Sequence, residues 1–292
     1  MKRRYVLISV VPFLMSCQQS ITLKAQRNVA KGELNDVLCY IGYPDTLSFG
    51  KVVLFIRGTG RFPATQDFGM GAEASLFGYS IVYPQKSYVN DPQKYYEHDS
   101  RYQRIHDLVA VIDDLIGRGT QQILILADSE GTMLAPELAK TYKDQVTGLV
   151  CMGGSLFPFE KDIEYCVNKK RGVFASIENE DELHASFDSI FARPTNVKKD
   201  FMGHSYRFWA SYLKYNPLEH INKLSMPVLY LNGENDEIDI PGQKALIEQL
   251  RIRGINIGQI TYAGVGHELT AVGRKLAEDI LGWAKRNGII EE

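Results

Sequence analysis

The sequence predicts an α/β protein with a mostly parallel central sheet flanked by helices. Apolar runs typical of strands alternate with segments whose apolar residues recur at helical spacing. The strand runs, such as QILILA at 122–127, are continuously apolar, as in strands buried on both faces of a sheet. The alternation stops between Ser155 and about Tyr215, where the chain is polar, aromatic and helix-like. We therefore expect one α/β core with a helical cap inserted at about 155–215.

The first twenty residues do not follow this pattern. Lys2, Arg3 and Arg4 precede an apolar run at 5–14, which is too short for a helix to cross a bilayer of about 30 Å and is typical of a signal peptide. The run ends in LMSC, which resembles a bacterial lipobox. We expect a signal peptide at 1–16, lipid attachment at Cys17 and a polar tether over 17–30, followed by the folded domain at 31–292. A plain secretory signal is the alternative.

Lipidation at Cys17 would make a membrane the partner of this chain. Each buried methylene contributes about 0.8 kcal/mol, so several acyl chains hold a protein firmly at a membrane surface. This predicts a lipid-anchored protein of the bacterial cell envelope, or a periplasmic one if no lipid is attached. Gln18 is not the aspartate that retains such lipoproteins at the inner membrane, so the outer membrane is favoured.

Composition and charge exclude other classes of protein. Hydrophobic residues make up 45% and charged residues 23%, as in ordinary globular domains, and the formal net charge of -2 predicts no nucleic-acid partner. Cys39, Cys151 and Cys166 lack the spacing of a metal site, so no metal is expected. Export would allow a disulfide between Cys151 and Cys166, although the apolar run around Cys151 favours a buried thiol.

The first half of the core predicts three strands, a helix and a further strand. Residues 36–44, 46–60 and about 79–85 are rich in the branched and aromatic residues that favour strands. Residues 101–119 form a helix, because their apolar residues recur at helical spacing and two glycines end the pattern. The apolar run at 122–127 is the next strand.

The second half repeats this alternation on both sides of the cap. A helix is expected at 131–142 and a strand at 146–154. Beyond the cap, apolar runs predict strands at 226–233 and 257–264, and helical spacing predicts helices at 241–254 and 268–288.

Ser129 stands where a strand turns into a helix, in the sequence ILILADSEGT. This is the context of a nucleophile elbow, a sharp turn that exposes a serine hydroxyl. The elbow needs small residues because strand and helix nearly touch, and Ala127 and Gly131 flank the serine at the required positions. A serine that only caps the helix is the alternative for this motif taken alone.

An acid and a histidine follow at the ends of later strands. The loop after 226–233 contains Asp236, and the loop after 257–264 contains His267. Nucleophilic catalysis by serine needs a histidine that accepts its proton and an acid that orients the histidine. The order serine, acid, histidine, with each residue at the end of a strand, is therefore a candidate catalytic triad.

The chain resembles the α/β-hydrolase superfamily over about residues 35–288, and within it the serine aminopeptidase and prolyl-oligopeptidase-like hydrolases. The resemblance rests on the elbow, on MPVLYLNGENDEIDIP and on GVGHE. It implies Ser129 as nucleophile, Asp236 as acid and His267 as base, with Glu234 and Asp239 as lesser candidates for the acid. It implies no cofactor.

The same resemblance implies an oxyanion hole made of two backbone N–H groups. One would belong to Glu130, which follows the nucleophile, and the other to Thr59 in the loop Arg57-Gly58-Thr59-Gly60. Relatives usually carry His-Gly where this chain has Arg57-Gly58, and a simple glycine-rich turn is the alternative. Asp128 is expected to pair with Arg57 or to remain solvated.

These features predict a serine hydrolase that cleaves an ester or a peptide bond of a small-molecule substrate. Two alternatives stay open. Arg57 and Ala127 stand where relatives usually carry histidine and glycine, and these departures would suit a catalytically degenerate binding protein with the same fold. A thioesterase or lipid esterase would suit the membrane anchor. The cap is expected to cover the site and set substrate choice. Its acidic run at 178–182 would attract a free amino terminus or form a solvated helix face.

Overall fold

A computed structural model describes residues 24–34, 36–43, 46–64 and 79–291. The predicted signal peptide and Cys17 lie outside these residues. Within the described part of the chain, every helix is too short or too polar to span a membrane.

The core is an eight-stranded sheet with the order β1-β2-β4-β3-β5-β6-β9-β10. The strands β1, β2 and β4 pair in antiparallel fashion, and all other neighbours in the sheet are parallel. A separate two-stranded hairpin consists of β7 and β8. The strands span Lys24–Ala30 (β1), Val37–Tyr43 (β2), Lys51–Ile56 (β3), Ser80–Pro84 (β4), Gln122–Asp128 (β5), Val146–Met152 (β6), Asp200–Phe201 (β7), His204–Ser205 (β8), Val228–Gly233 (β9) and Ile257–Tyr262 (β10).

Helices cover both faces of the sheet. Side chains of β3 alternate between two apolar clusters, with Val52, Leu54 and Ile56 in one and Val53 and Phe55 in the other. This burial of both faces explains the continuous apolar runs and confirms the predicted fold class. The described helices span Pro92–His98 (α1), Arg101–Gly117 (α2), Ala135–Thr141 (α3), Phe159–Lys169 (α4), Glu180–Phe191 (α5), Tyr206–Tyr212 (α6), Leu218–Ile221 (α7), Ile240–Ile252 (α8) and Arg274–Arg286 (α9).

The predicted tether is wrong over its second half. Residues 24–30 form β1, which pairs along its whole length with β2. The strand lies at the sheet edge, where Arg27 and Val29 are exposed, and the Asn28 amide donates to Asp114 Oδ2 at 2.9 Å. An edge strand with few apolar residues lacks the pattern of a buried strand, and composition alone could not identify it.

Other element boundaries differ where the backbone turns sharply. Ser129–Met133 is a 3₁₀ turn and α3 begins only at Ala135, with a proline in its first turn. The predicted last helix is likewise divided by Gly273, whose φ of 60° ends the 3₁₀ turn Leu269–Val272 before α9. The predicted strand at 46–60 is shorter, because the loop with the glycines lies outside β3.

The cap runs from β6 to β9 and contains α4, α5, the β7–β8 hairpin, α6 and α7. Its aromatic residues mainly pack on one another: the Trp209 ring lies 5.9 Å from Phe159 and 5.4 Å from Phe201. Trp209, Phe208 and Tyr212 are almost fully buried. The acidic residues of the first turn of α5 are exposed, as in a solvated helix face.

The three described cysteines carry free thiols. Cys151 lies in β6 and is fully buried, and burial raises its pKa to about 12. The structure therefore has no Cys151–Cys166 bridge, and the interpretation of Cys151 as a buried thiol is confirmed.

Candidate active site

Ser129 lies on a strained turn at the end of β5. Its φ is 48°, a left-handed conformation that non-glycine residues adopt only at a cost. The turn is tight because strand and helix backbones meet: a side chain at Gly131 would overlap the carbonyl of Ile56. A Cβ at Gly58 would lie 2.7 Å from the Cβ of Ser129. The small residues are thus required, and the serine side chain is directed away from the sheet.

The acid and the histidine approach from the two strands at the other end of the sheet. Asp236 follows β9 and His267 follows β10. Their loops touch, because a side chain at Gly233 would overlap the backbone of Val265 and Gly266. Gly153, which follows β6 with a φ of 60°, leaves room for the imidazole; a Cβ there would be 3.2 Å from His267 Cε1.

The three side chains form one hydrogen-bonded chain. His267 Nε2 lies 2.9 Å from Ser129 Oγ, and His267 Nδ1 lies 3.0 Å from Asp236 Oδ1. Asp236 is fully buried, whereas 36% of the His267 side chain is exposed. With Nδ1 protonated and donating to the aspartate, Nε2 accepts the serine hydroxyl proton. The arrangement can activate a serine oxygen.

The charge of Asp236 controls the imidazole. Its hydrogen bond and its negative charge raise the pKa of His267 to about 9 against the effect of burial, and the charge of Asp128 acts in the same direction. Asp236 Oδ1 also accepts from the backbone N–H of Glu237 at 2.7 Å. Its Oδ2 is buried without a hydrogen-bond partner among the described residues.

The lesser candidates for the acid have other partners. Glu234 Oε2 accepts from the backbone N–H of Gly264 at 3.0 Å. Asp239 caps α8 by accepting from Gly242 N–H at 3.1 Å. The structure thus brings Asp236, and neither of these residues, to the histidine.

The loop Arg57–Gly60 lies beside the nucleophile turn and is held at three points. Arg104 Nη2 donates to the Arg57 carbonyl at 3.0 Å, and the Tyr95 hydroxyl donates to the Gly60 carbonyl at 3.1 Å. The Gly58 N–H donates to the Asp128 carboxylate and lowers its pKa, although burial dominates and raises it. The positive charges of His267 and Arg57 also lower this pKa. Thr59, which is predicted to supply an oxyanion donor, follows Gly58 in the same loop.

The side chain of Glu130 contacts three buried groups that the sequence does not predict. Its side chain is buried between Lys86 Nζ, 3.1 Å away, and Arg104 Nη1, 3.2 Å away, and it accepts from the Tyr212 hydroxyl of the cap. Burial alone would raise the pKa of Glu130, but the two cations and the hydroxyl outweigh burial and lower it to about 2. We call Glu130, Lys86, Arg104 and Tyr212 the Glu130 cluster.

The cap also contacts the loop of the acid. Arg171 Nη1 donates to the carbonyl of Asp236 at 2.9 Å. On the nucleophile side, Ser211 Oγ accepts from the Arg101 N–H at the start of α2. The cap is therefore attached to the core on both sides of the triad.

Among the described residues, one group of metal-ligating side chains converges, away from the triad. Glu160, Glu164 and His184 lie within ligand distance of one another on the cap. Glu164 already contacts Lys161 Nζ at 2.6 Å. The arrangement is that of a polar cap surface.

No family model matches the sequence, and no curated protein matches it. Solved structures do match. A proline iminopeptidase from Mycobacterium smegmatis is 12% identical over 90% of this chain and 99% of its own, with a TM-score of 0.61. An esterase from Pyrococcus furiosus is 13% identical, covering 98% and 99%, with a TM-score of 0.62. A carboxyl esterase from Bacillus coagulans is 15% identical, covering 90% and 98%, with a TM-score of 0.63. The chain has the α/β-hydrolase fold, as predicted.

Proposed function

We propose that this protein is a serine hydrolase that cleaves ester or peptide bonds through an acyl-enzyme. The observation that carries the proposal is the hydrogen-bonded chain from Ser129 through His267 to Asp236, with the serine on a strained turn. A serine that merely capped a helix would need neither the left-handed backbone nor a buried acid behind a histidine. Esterases and peptidases among the matching folds are consistent with this assignment.

The chemistry follows from the geometry. Ser129 Oγ attacks the acyl carbon while its proton moves to His267 Nε2, and Asp236 stabilises the resulting imidazolium. The bond to the leaving group breaks and that group takes the proton from His267. Water then repeats the sequence: it gives a proton to His267, adds to the acyl carbon and releases the acid with Ser129 restored. The N–H groups of Thr59 and Glu130 would stabilise the oxyanion in both halves.

Labelling with a fluorophosphonate probe tests the proposal directly, because only an activated serine reacts with it. We expect labelling of the wild type and of Ser186→Ala, a matched serine variant on cap helix α5. We expect none for Ser129→Ala or His267→Ala. A folded wild type that stays unlabelled would instead support a degenerate binding protein.

Substrate profiling addresses the bond that is cleaved. Acyl esters of increasing length, acyl thioesters and aminoacyl amides separate an esterase, a thioesterase or lipid esterase, and a peptidase. Rates highest on acyl esters would assign an esterase. Rates highest on aminoacyl amides would assign a peptidase instead.

We also propose that Cys17 carries lipid and holds the enzyme in the bacterial cell envelope, at the outer membrane. The proposal rests on the LMSC motif after a basic and apolar leader. Metabolic labelling with a fatty-acid probe should mark the wild type but not Cys17→Ser. Labelling that survives this substitution would refute the assignment of Cys17.

A further inference from the structure

A cavity of about 210 Å³ lies between the core and the cap, apart from the triad. It is bounded by the end of the Arg57–Gly60 loop, by helix α1 and by the β7–β8 hairpin with the start of α6. None of the three triad residues lines it. Its residues are Arg61, Pro92, Tyr95, Tyr96, Asp99, Gly203, His204, Ser205 and Phe208.

Asp99 is the notable member of this lining. The residue ends α1, and only 4% of its side chain is exposed. Its Oδ2 atom is buried without a hydrogen-bond partner among the described residues. A buried carboxylate oxygen without a donor is costly, and here the atom also faces a cavity, where a further group could supply the donor.

The neighbouring groups of the protein do not supply that donor. His204 Nδ1 is 3.9 Å from Asp99 Oδ2, too far for a hydrogen bond. Burial lowers the pKa of His204, so the ring is neutral near pH 7. The Tyr95 hydroxyl also interacts with the Asp99 carboxylate. Its proton is directed to the Gly60 carbonyl at 3.1 Å, and Asp99 Oδ2 itself has no donor in hydrogen-bond geometry among the described residues. Lys86 Nζ points to Glu130 and to the Tyr95 oxygen, which it approaches at 3.4 Å.

We propose that this cavity binds the ammonium group of a small amine. An ammonium offers the N–H donors that Asp99 lacks and a charge opposite to that of the carboxylate. The aromatic rings of Tyr95, Tyr96 and Phe208 line the same space, and aromatic faces attract cations. The volume admits a ligand of several heavy atoms, larger than a single bound water.

The charge of Arg61 indicates which kinds of amine the binding test should compare. It also lines the cavity, and its Nη1 donates to the Val89 carbonyl at 2.7 Å. A ligand with a carboxylate beside its amine would meet an opposite charge at both ends. Free α-amino acids are therefore compared with plain alkylamines in the test.

The experiment measures binding and does not depend on catalysis. Purified full-length protein is titrated at pH 8 with n-butylammonium, with the neutral isostere 1-butanol and with L-leucine, followed by ligand-observed NMR and thermal shift. We expect butylammonium to bind at least about tenfold more tightly than butanol in the wild type and in Ser129→Ala. Asp99→Asn, which keeps the shape and removes the charge, should abolish this difference. Asp188→Asn on α5 should keep it.

Two results would overturn the proposal. One is equal binding of butylammonium and butanol by the wild type, or binding of neither. The other is tight butylammonium binding by folded Asp99→Asn. Because Ser129→Ala is included, failure of the proposed hydrolase activity leaves this test intact.

A second arm identifies the source of the ammonium. If it belongs to the substrate, Asp99→Asn should raise KM at least about tenfold for an aminoacyl ester but not for the matching ester without the amine. If it belongs to a separate molecule, KM is unchanged for both esters and L-leucine or butylammonium still binds the wild type. Both results support an ammonium site.

Discussion

Ser129 and Glu130 are neighbours in the chain, yet their side chains belong to two different electrostatic environments. Ser129 is hydrogen-bonded to His267, which is hydrogen-bonded to Asp236, and the His267 side chain is partly exposed. Glu130 leads inward to Lys86 and Arg104, where every charged group is nearly fully buried. The elbow separates these environments, because consecutive residues of a sharp turn point in different directions.

The two environments differ in whether their groups exchange protons. In the proposed mechanism a proton moves between Ser129 and His267, and the pKa of His267, about 9, is within reach of solution pH. In the Glu130 cluster, two cations lower the pKa of one carboxylate to about 2, so it stays ionised near neutral pH. The first arrangement is suited to catalysis and the second to holding the cap and the Arg57–Gly60 loop in place. Substitutions should therefore separate loss of rate from loss of stability.

The largest expected effect is on rate. Ser129→Ala and His267→Ala should each lower kcat by about 10⁴-fold or more, with little change in Tm. Ser129→Gly should be equally inactive but more stable by about 1 kcal/mol, because glycine adopts positive φ without strain. Ester hydrolysis and thermal unfolding measure both quantities. A Gly variant less stable than the Ala variant would contradict the strained turn.

The next effect is on stability. Glu130→Ala leaves Lys86 and Arg104 buried without their carboxylate, so the free energy of unfolding should fall by about 3–5 kcal/mol. Tyr212→Phe removes only the hydroxyl and should cost about 1 kcal/mol. Denaturant unfolding compares the two variants. Equal losses would mean that the cations do not depend on Glu130.

Substitution of Asp99 should change the free energy of unfolding in the opposite direction, towards higher stability. Burial and repulsion from Glu130 raise its pKa from 3.8 to about 6, so the native state resists its ionisation. The stability of the fold is full below pH 3.8 and falls as the pH rises through about 6, by on the order of 3 kcal/mol at most. Asp99→Asn should therefore raise the unfolding free energy at pH 8 but not at pH 4. A variant that is less stable at pH 8 would show that Asp99 has a stabilising partner.

The smallest expected effect is a shift in the pH dependence of kcat/KM. His267 must be neutral to accept a proton, and its pKa of about 9 predicts that kcat/KM rises with pH up to that value. Asp128→Asn removes a charge that raises this pKa while keeping an acceptor for Gly58 N–H. The profile of the variant should lie at lower pH, with several-fold more activity near neutrality. An unchanged profile would exclude Asp128 as a contributor.

The approach of Ser129, Asp236 and His267 could be predicted because each follows a strand whose apolar run is visible in the sequence. Parallel strands end at one edge of the sheet, so residues after them meet there. Gly131 also signals close backbone contact from its place in the elbow motif, whereas the close contact at Gly233 is seen only in the structure.

The Glu130 cluster could not be predicted in the same way. Lys86 follows an apolar strand and Tyr212 lies in the cap, and no periodic pattern connects either to Glu130. Burial of a lysine depends on the packing of Tyr95 and α6 around it, which is a tertiary property. The strand β1 was missed for a related reason, since its polar residues face solvent or the end of α2.

The hydrogen bond from Tyr212 to Glu130 has a consequence for laboratory evolution of the proposed hydrolase. Helix α6 cannot shift without disturbing the residue next to Ser129. Helices α4 and α5 bury one face in the core cluster and leave the other exposed. Libraries that seek new substrate ranges should therefore vary the outer faces of α4 and α5 first and keep α6 unchanged. Substitutions should be tolerated best on these exposed helix faces, which make none of the contacts described around Ser129.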